Sequence, residues 1–284
     1  MTRAIDVSEQ TLREFDYQVA GHSGIIVSED GKMLLKPMVE REKDFYEIVN
    51  QNARLKEFFP EYHGTVKLAK GTSEENEENA KFAHNPSDKK TQVADTYICI
   101  NNEVNGFKNV CMIDVKIGTQ LYDIDATPEK QAKMQAKANE RTTCIIGTSI
   151  SGMIIHGDPD VDKQKLLAFN VSEYKNEGLG RFFKAAEEKV GADYRRLLLD
   201  RCIEWAMEYR EAVQKSEIRM YGGSLLLAYD VCKKRIESAG AEGTFSFKAI
   251  DFAHSHWVPG QGVDEQYLFG LNHFIRILCE IRDE

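Results

Sequence analysis

The chain has 284 residues, of which 46 are acidic and 37 basic, so its formal net charge is −9 at pH 7. This balance argues against broad nucleic-acid binding, in which a basic face dominates the affinity. No stretch approaches the ~20 consecutive apolar residues of a membrane span, and the opening MTRAIDVSEQ shows no apolar signal core. The six cysteines form no C-x-x-C pair, so we expect reduced thiols in a cytoplasmic or nuclear protein.

The first part of the chain has the pattern of a small region rich in strands. Residues 25–35 carry apolar segments on both sides of Asp30-Gly31, and Asp-Gly is favoured in tight hairpin turns. The further predicted elements are a helix over 40–59, a strand over 62–67, a mobile acidic loop over about 71–92, a strand over 95–100 and a hinge over 101–106.

The second part of the chain mixes helices and strands. Its predicted elements are a basic helix over 128–141 between two apolar strands, a helix over 193–214, strands over 224–230 and 245–252, and a closing helix. We therefore predict an α+β chain with a small lobe rich in strands over 1–104 and a larger mixed lobe over 105–284.

Lys36 stands at the end of the second predicted strand and precedes acidic helical turns that contain Glu42. A lysine that binds nucleotide phosphates is commonly held by a glutamate of a neighbouring helix, as in protein kinases. Taken alone, the pattern favours an ordinary surface lysine at a strand end. A phosphate-binding lysine at position 36 is the alternative.

Asp114 and Lys116 lie two residues apart in the segment CMIDVKIGTQ. In a strand they point to the same face, so an acid and a base converge beside Gly118, where a ligand could approach the backbone. Asp114 could orient an attacking hydroxyl or accept its proton, and Lys116 could neutralise phosphate charge. An ion pair on one strand face is the other interpretation.

Asp251 closes an apolar strand in the segment KAIDFAHSH. An aspartate followed by Phe and a small residue is how kinases present a magnesium ligand. Magnesium prefers oxygen ligands and keeps several waters, so one aspartate and a neighbouring oxygen can suffice. The catalytic-loop pattern H-R-D-x-x-x-x-N is absent, so we expect no ordinary protein kinase. His254 and His256 have no third zinc ligand at suitable spacing, which favours structural hydrogen bonds.

These residues occur in the order of a known family. The sequence resembles the inositol polyphosphate kinases, especially the hexakisphosphate kinase branch. The family signature P-x-x-x-D-x-K-x-G is matched by VCMIDVKIG at 110–118, with valine in place of proline. The motifs Ser-Leu-Leu and Ile-Asp-Phe-Ala-His occur at 224–226 and 250–254. Shorter matches extend the resemblance to residues 20–280: GHSG at 21–24, RE at 41–42, FYE at 45–47, YHG at 62–64, GM at 152–153 and FGL at 269–271.

The resemblance implies a protein-kinase-like fold of two lobes, with ATP in the cleft and magnesium as the metal. It implies that Lys36 grips the ATP phosphates, that Asp251 holds the metal and that Ser224 assists near it. Asp114 would serve the reacting hydroxyl or the ribose, and Lys116 the phosphates.

The remaining ATP-binding residues implied by the resemblance lie in the hinge. Asn101, Asn102 and Glu103 would meet adenine mainly through backbone groups. Glu42 completes the expected nucleotide site through Lys36.

A row of basic residues favours a highly phosphorylated substrate. Four of them, spaced by three, four and four, share one face of the predicted basic helix: Lys130, Lys133, Lys137 and Arg141. Like charges on a stripe repel by a few tenths of a kcal/mol per pair, roughly, unless water or an anion screens them. Beside the signature motif this favours a phosphate cradle, and a solvated basic face is the alternative. Lys116, Gly118, Arg219 and Lys248 complete the expected substrate-binding set.

We therefore expect a kinase that transfers the γ-phosphate of ATP to inositol hexakisphosphate and makes an inositol pyrophosphate. One alternative is an inositol trisphosphate kinase or multikinase that phosphorylates a ring hydroxyl. Another, from a different class, is a non-catalytic inositol-phosphate sensor, against which the intact Lys36, Asp114 and Asp251 argue. We expect a monomer whose partners are small molecules rather than nucleic acid or membrane.

Overall fold

The computed structural model of the chain describes residues 3–5, 13–17, 19, 24–68, 96–161 and 170–284. The predicted acidic loop over about 71–92 and the first three residues of the GHSG match lie outside these residues. Two sheets organise the described part of the chain, and the segment 102–109 connects the last strand of one to the first strand of the other. This mixed architecture confirms the predicted fold class.

The first sheet has six strands in the order β1-β5-β6-β4-β3-β2. Its strands are β1 (Arg3–Ile5), β2 (Arg13–Glu14), β3 (Ile26–Val27), β4 (Met33–Pro37), β5 (Tyr62–Leu68) and β6 (Thr96–Asn101). The predicted hairpin is confirmed, because β3 and β4 pair antiparallel and Gly31 has a φ of +74°. A tight turn of this kind needs that left-handed conformation, which glycine adopts without steric cost.

Helix α1 (Glu40–Gln51) follows β4 directly and carries Glu40 and Glu42 in its first turn. Acidic side chains stabilise that end of a helix through its dipole. The prediction of one helix over 40–59 was too long. The side chain of Asn52 accepts a hydrogen bond from the backbone N–H of Arg54 at 3.0 Å, a turn that competes with helix, and only a 3₁₀ turn follows.

The second sheet has four antiparallel strands in the order β11-β10-β7-β8. Its strands are β7 (Val110–Ile117), β8 (Thr148–Ile154), β10 (Ser224–Asp230) and β11 (Phe245–Ile250). A separate pair joins β9 (Ile218–Met220) to β12 (Ser255–Trp257). The two central strands, β7 and β10, are buried along nearly their whole length, which explains their almost continuous apolar sequences.

Helices pack around the second sheet. They are α2 (Pro128–Asn139), α3 (Thr143–Ile146), α4 (Val171–Glu173), α5 (Arg181–Lys189), α6 (Ala192–Gln214), α7 (Lys233–Ala239) and α8 (Glu265–Asp283). The long helices α6 and α8 contact each other, and their apolar stripes are buried in the main core. Of the helices in the described ranges, none combines the length and apolar character that crossing a bilayer requires.

Helix α2 begins and ends with local signals. The hydroxyl of Thr127 accepts a hydrogen bond from the backbone N–H of Lys130, and Pro128 occupies the first helical turn, as is common at helix starts. The helix ends at Asn139, so the prediction that it reaches 141 was wrong. Arg141 lies in the following turn, where its N–H donates to the carbonyl of Ala138.

Gly152 provides a test of this packing. A Cβ atom added there would lie 2.0 Å from the carbonyl oxygen of Val19, so Gly152→Ala must push the two backbones apart. We expect the free energy of unfolding to fall by about 1–3 kcal/mol, as measured by urea denaturation. Gly243→Ala is the control, because its Cβ would meet only the Cβ of Ala239, at 3.5 Å. Equal stabilities of the two variants would contradict this packing.

Candidate active site

Four charged side chains from both sheets and from α1 form a continuous network. Lys36 Nζ, on β4, donates to Glu42 Oε1 at 2.8 Å and to Asp251 Oδ1 at 3.1 Å. Lys116 Nζ, on β7, donates to the other oxygen, Asp251 Oδ2, at 2.9 Å. The structure thus brings together the predicted nucleotide lysine, its helix glutamate, the signature lysine and the predicted metal aspartate.

Glu42 links α1 to the backbone beside Asp251. Its residue is 0% exposed, and its Oε1 atom also accepts a hydrogen bond from the N–H of Phe252 at 3.3 Å. The ring of Phe252 is fully buried and stacks on Phe45 of α1, with centroids 4.8 Å apart. Polar and aromatic contacts therefore fix α1 against the segment that follows β11.

Asp251 has an unusual backbone conformation. With φ at +68°, it is the only non-glycine residue of the described part with a positive φ. Asp tolerates the left-handed region better than most residues, but the conformation still costs about 1 kcal/mol. Such strain persists where the surroundings over-determine it, and it concentrates at functional sites. Here the buried Phe252 and the two lysines hold the carboxylate in place.

Sheet register places Asp114 and Ser224 beside this network. Ser224 is the Cα partner of Lys116 on one side and of Ile250 on the other. Asp114 lies two residues before Lys116, on the same face of β7, and is 2% exposed. Within the described part of the chain, Asp114 Oδ1 and the Ser224 hydroxyl are buried without a hydrogen-bond partner. Such atoms are rare in native structures and call for an explanation such as a bound ion or ligand.

Burial and charge act against each other in this cluster. Burial alone would raise the pKa of the Asp251 carboxyl, but Lys116 and Lys36 outweigh it and hold that pKa below the usual range. Burial alone would lower the pKa of Lys36, but Asp251 and Glu42 raise it above the usual value. These groups are therefore charged at neutral pH. Burial raises the pKa of Asp114, which Lys116 opposes and Asp251 reinforces.

Gly118 lies just after β7, and its place in the substrate site stays a prediction. Its φ is +99°, and its N–H donates to the carbonyl of Gly147 at 2.8 Å. A Cβ atom added there would lie 3.4 Å from Oε1 of Gln266. The space beside Gly118 is thus filled by the start of α8. The glycine is explained by backbone conformation and packing.

Three of the four predicted stripe residues lie on α2, namely Lys130, Lys133 and Lys137, and all three are exposed. In the described residues, neither Lys130 nor Lys133 forms an ion pair. Lys130 lies close enough to His254, in the segment after Asp251, for its charge to act on that imidazole. Burial lowers the pKa of His254, Asp123 opposes this, and the Lys130 charge lowers the pKa further. Arg141 lies past the helix and is half-buried, so the predicted stripe of four shortens to three.

The hinge residues make contacts of their own. The backbone N–H groups of Asn101 and Asn102 donate to the carbonyls of Glu61 and Lys32. The carboxylate of Glu103 accepts a hydrogen bond from the hydroxyl of Ser246 at 2.7 Å, and burial raises its pKa. The side chain of Glu103 therefore joins the hinge to β11.

Arg219 and Lys248 are engaged with backbone carbonyls. The guanidinium of Arg219 donates to Gln261 and Gly262, at 2.8 and 2.9 Å, and Lys248 Nζ donates to Glu57 at 2.7 Å. Nothing in the described structure brings either residue to the network around Asp251. Their assignment to the substrate site stays a prediction.

Sequence reasoning missed Asp123. This residue is 4% exposed and binds Arg41, His254 and His256. The sequence shows only an acid in a short polar segment before α2, with no spacing that marks it. The prediction that the two histidines make structural hydrogen bonds is confirmed.

Comparison with known proteins agrees with this site. A sequence model of the inositol polyphosphate kinase family matches residues 97–279, which run from β6 through most of α8. The family match and the two lysines around the Asp251 carboxylate together identify the chain as a phosphotransferase. The match covers more than half of the chain, so the chain belongs to the inositol polyphosphate kinase family.

Individual relatives come from two branches of that family. The inositol polyphosphate multikinase of Schizosaccharomyces pombe is 27% identical over 271 residues, covering 93% of this chain and 96% of the relative. Human inositol hexakisphosphate kinase 1 is 22% identical over 422 residues, covering 96% and 94%. The crystal structure of an inositol phosphate multikinase from S. cerevisiae, in complex with ADP and Mn²⁺, matches with a TM-score of 0.70 at 22% identity. It covers 88% of this chain and 99% of that chain.

The buried carboxyl group of Asp114 leads to a prediction about stability. Because its pKa is raised in the folded state, folded protein binds the proton more tightly than unfolded chain does. Ionisation of Asp114 therefore destabilises the fold above the raised pKa, and the penalty disappears as the pH falls below the usual carboxyl range. We expect Asp114→Asn to be at least as stable as the wild type at pH 7, with an advantage that shrinks toward about pH 4. Urea unfolding across this range measures it. A variant that is less stable at pH 7 would contradict the prediction.

Proposed function

We propose that the chain is an ATP-dependent kinase that phosphorylates a ring hydroxyl of an inositol polyphosphate, as a multikinase does. One observation carries the proposal: the Asp251 carboxylate binds lysines from both sheets, next to the signature residue Asp114. Intact charged groups in this arrangement favour an enzyme over a non-catalytic sensor.

The comparisons favour the multikinase over the hexakisphosphate kinase that the sequence motifs led us to expect. The fission-yeast multikinase aligns over 271 positions with a chain of 284 residues. The human hexakisphosphate kinase 1 alignment takes 422 positions to cover this chain, so much of it consists of gaps. An alignment that spans nearly the whole of both chains with few gaps favours the multikinase.

ATP would bind between the two sheets. Lys36 would bind its phosphates, and Glu42 would hold that lysine through the 2.8 Å bond. The N–H groups of Asn101 and Asn102 are already used, so contacts to adenine would fall to Glu103 and to hinge carbonyls. The solved yeast multikinase has ADP in its complex, which supports this choice of nucleotide.

The donor set fits a magnesium ion. Asp251 supplies carboxylate oxygens, and Ser224 and Asp114 offer buried oxygens without partners in the described part. No group of three or more His, Cys, Asp or Glu in the described residues could hold a metal. Mg²⁺ usually takes only one or two carboxylates and completes its shell with phosphates and water. Asp251 and Ser224 would therefore hold the ion, which would neutralise charge on the phosphates.

Different residues of the protein would then have different roles in phosphoryl transfer. Lys116 would neutralise charge that develops on the transferred group. Asp114 would orient the attacking hydroxyl, and its raised pKa makes it a better proton acceptor than an ordinary carboxylate. The exposed lysines of α2 would bind the substrate phosphates.

A turnover assay tests the proposal directly. Wild-type protein is incubated with ATP, Mg²⁺ and inositol phosphates carrying three to six phosphates, and the products are resolved by ring position. We expect substrates with a free hydroxyl to turn over about tenfold or more faster than the hexakisphosphate. Preference for the hexakisphosphate would restore the earlier expectation. Binding of inositol phosphates with no turnover of any of them would indicate a sensor.

Lys36→Ala should weaken ATP binding by about tenfold or more, because a charge-assisted hydrogen bond to phosphate is lost. Inositol-phosphate affinity should change little. Calorimetric titration of each ligand separately measures both. Lys32→Ala is the control, since Lys32 is on the same hairpin, is mostly exposed and, among the residues that the structure describes, forms an ion pair only with Asp30. Equal losses for both ligands would place the role of Lys36 elsewhere.

Lys133→Ala combined with Lys137→Ala should raise KM for the inositol phosphate roughly tenfold, because two charge-assisted contacts to phosphate are lost. Each contributes about 1.5–3 kcal/mol when desolvated, and less in a site open to solvent. KM for ATP should stay nearly constant. The effect should grow with the number of substrate phosphates and shrink with added salt.

The control replaces Lys233 and Lys234 of α7, two adjacent exposed lysines. Steady-state kinetics at two salt concentrations distinguishes the cases. If both double variants behave alike, the α2 lysines are only a solvated face.

A further inference from the structure

A second charged cluster lies beside the proposed active site, centred on the buried carboxylate of Asp123. Asp123 stands between β7 and α2, in the segment that joins the signature motif to the basic helix. Its Oδ1 atom accepts from His256 Nε2 at 2.7 Å, and Oδ2 contacts His254 Nδ1 at 3.1 Å. Oδ2 also binds the Nη1 atom of Arg41.

The partners of Asp123 belong to the elements that carry the proposed catalytic groups. Arg41 immediately precedes Glu42, which holds Lys36. His254 and His256 follow Asp251 by three and five residues. One carboxylate thus joins α1, the segment before α2 and the segment after β11.

These bonds complement the ones made by Glu42. Glu42 ties α1 to the N–H of Phe252, and Arg41 ties the same helical turn to Asp123. Helix α1 also contacts β12, the strand that carries His256. Burial alone would raise the pKa of Asp123, but His256, His254 and Arg41 outweigh it and lower the pKa. Asp123 is therefore a carboxylate at neutral pH and pairs with the Arg41 charge.

We propose that Asp123 is a positioning residue for phosphoryl transfer, which holds α1, the start of α2 and the segment after Asp251 in one arrangement. It touches none of the proposed reacting groups and acts through Arg41 and the two histidines. A small misplacement of groups that must converge is costly in rate, up to about 100-fold for 1 Å. The expected effect of Asp123 on the rate of phosphoryl transfer rests on the proposed function.

The chain offers a closely matched control. Asp125 lies two residues from Asp123 and binds the same arginine, Arg41 Nη2, at 2.9 Å. Its side chain is 65% exposed and it contacts neither histidine. Asp123→Asn and Asp125→Asn therefore make the same chemical change to two partners of one guanidinium, and only the first reaches the buried cluster.

We expect Asp123→Asn to lower kcat by about tenfold or more while each KM changes less than about threefold, because the ligand-binding groups remain. Asp125→Asn should keep kcat within about twofold, as an exposed ion pair contributes little. If Asp123 only stabilised the fold, Asp123→Asn would contain less folded enzyme. Once the rate is divided by the concentration of active sites, kcat would then equal that of the wild type. Equal effects of the two variants, or unchanged kcat in Asp123→Asn, would overturn the proposal.

Arg41→Gln keeps the proposal testable if Asp123→Asn folds poorly, since Arg41 is partly exposed. It should reproduce most of the kcat loss. The double variant should lose much less than the product of the two single effects, because both changes break the same link. Multiplicative losses would mean that the residues act independently, and would overturn the proposal.

Amide hydrogen exchange separates this proposal from the proposed function. Exchange of the α1 amides should be faster in Asp123→Asn than in Asp125→Asn, whatever the substrate is. If the wild type transfers no phosphate, the proposed function fails, and exchange still decides whether Asp123 holds α1. Equal α1 protection in both variants would overturn the positioning role even if transfer is observed.

Discussion

The carboxylate of Asp251 lies between two ammonium groups, Lys36 from the first sheet at 3.1 Å and Lys116 from the second sheet at 2.9 Å. All three are largely buried, and a buried carboxylate is stable only when opposite charges and hydrogen bonds compensate its lost hydration. The two lysines provide that compensation from opposite sides. The interaction therefore sets the relation of the two sheets at the site, and it keeps the carboxylate ionised.

Strand register, hydrogen bonds and aromatic packing support this arrangement. Strand register between β7 and β10 puts Lys116 opposite Ser224, and the period of two along β7 puts Asp114 on the same face. On the other side, Glu42 holds Lys36, while Phe252 inserts into an aromatic cluster with Phe45. The left-handed backbone at Asp251 then turns its carboxylate between the lysines. Packing of apolar groups thus offsets the cost of strain and of buried charge at the centre.

Much of this was predictable from the sequence, for local reasons. The Asp30-Gly31 turn and the alternation along β7 depend on neighbouring residues, so the hairpin and the shared face of Asp114 and Lys116 followed directly. The ends of the helices were harder to predict, because α1 ends at a turn formed by the Asn52 side chain and Arg141 lies just past the end of α2. Asp123 gave no signal, since its partners are 82 to 133 residues away in sequence. Contacts of that kind arise only from the assembled fold. The choice between substrates was also beyond motif reading, because the chain is similar both to a multikinase and to a hexakisphosphate kinase.

We propose that the Asp251 carboxylate, held between two lysines, binds the divalent metal of the reaction. Mn²⁺ titration followed by electron paramagnetic resonance, with ADP present, measures this binding without turnover. We expect wild-type protein to bind one Mn²⁺ tightly, and we expect Asp251→Asn, though folded and able to bind ADP, to lose about tenfold or more of that affinity. Glu61→Gln, an exposed carboxylate outside the network, should bind like the wild type. Equal Mn²⁺ affinity in Asp251→Asn and wild type would contradict the account.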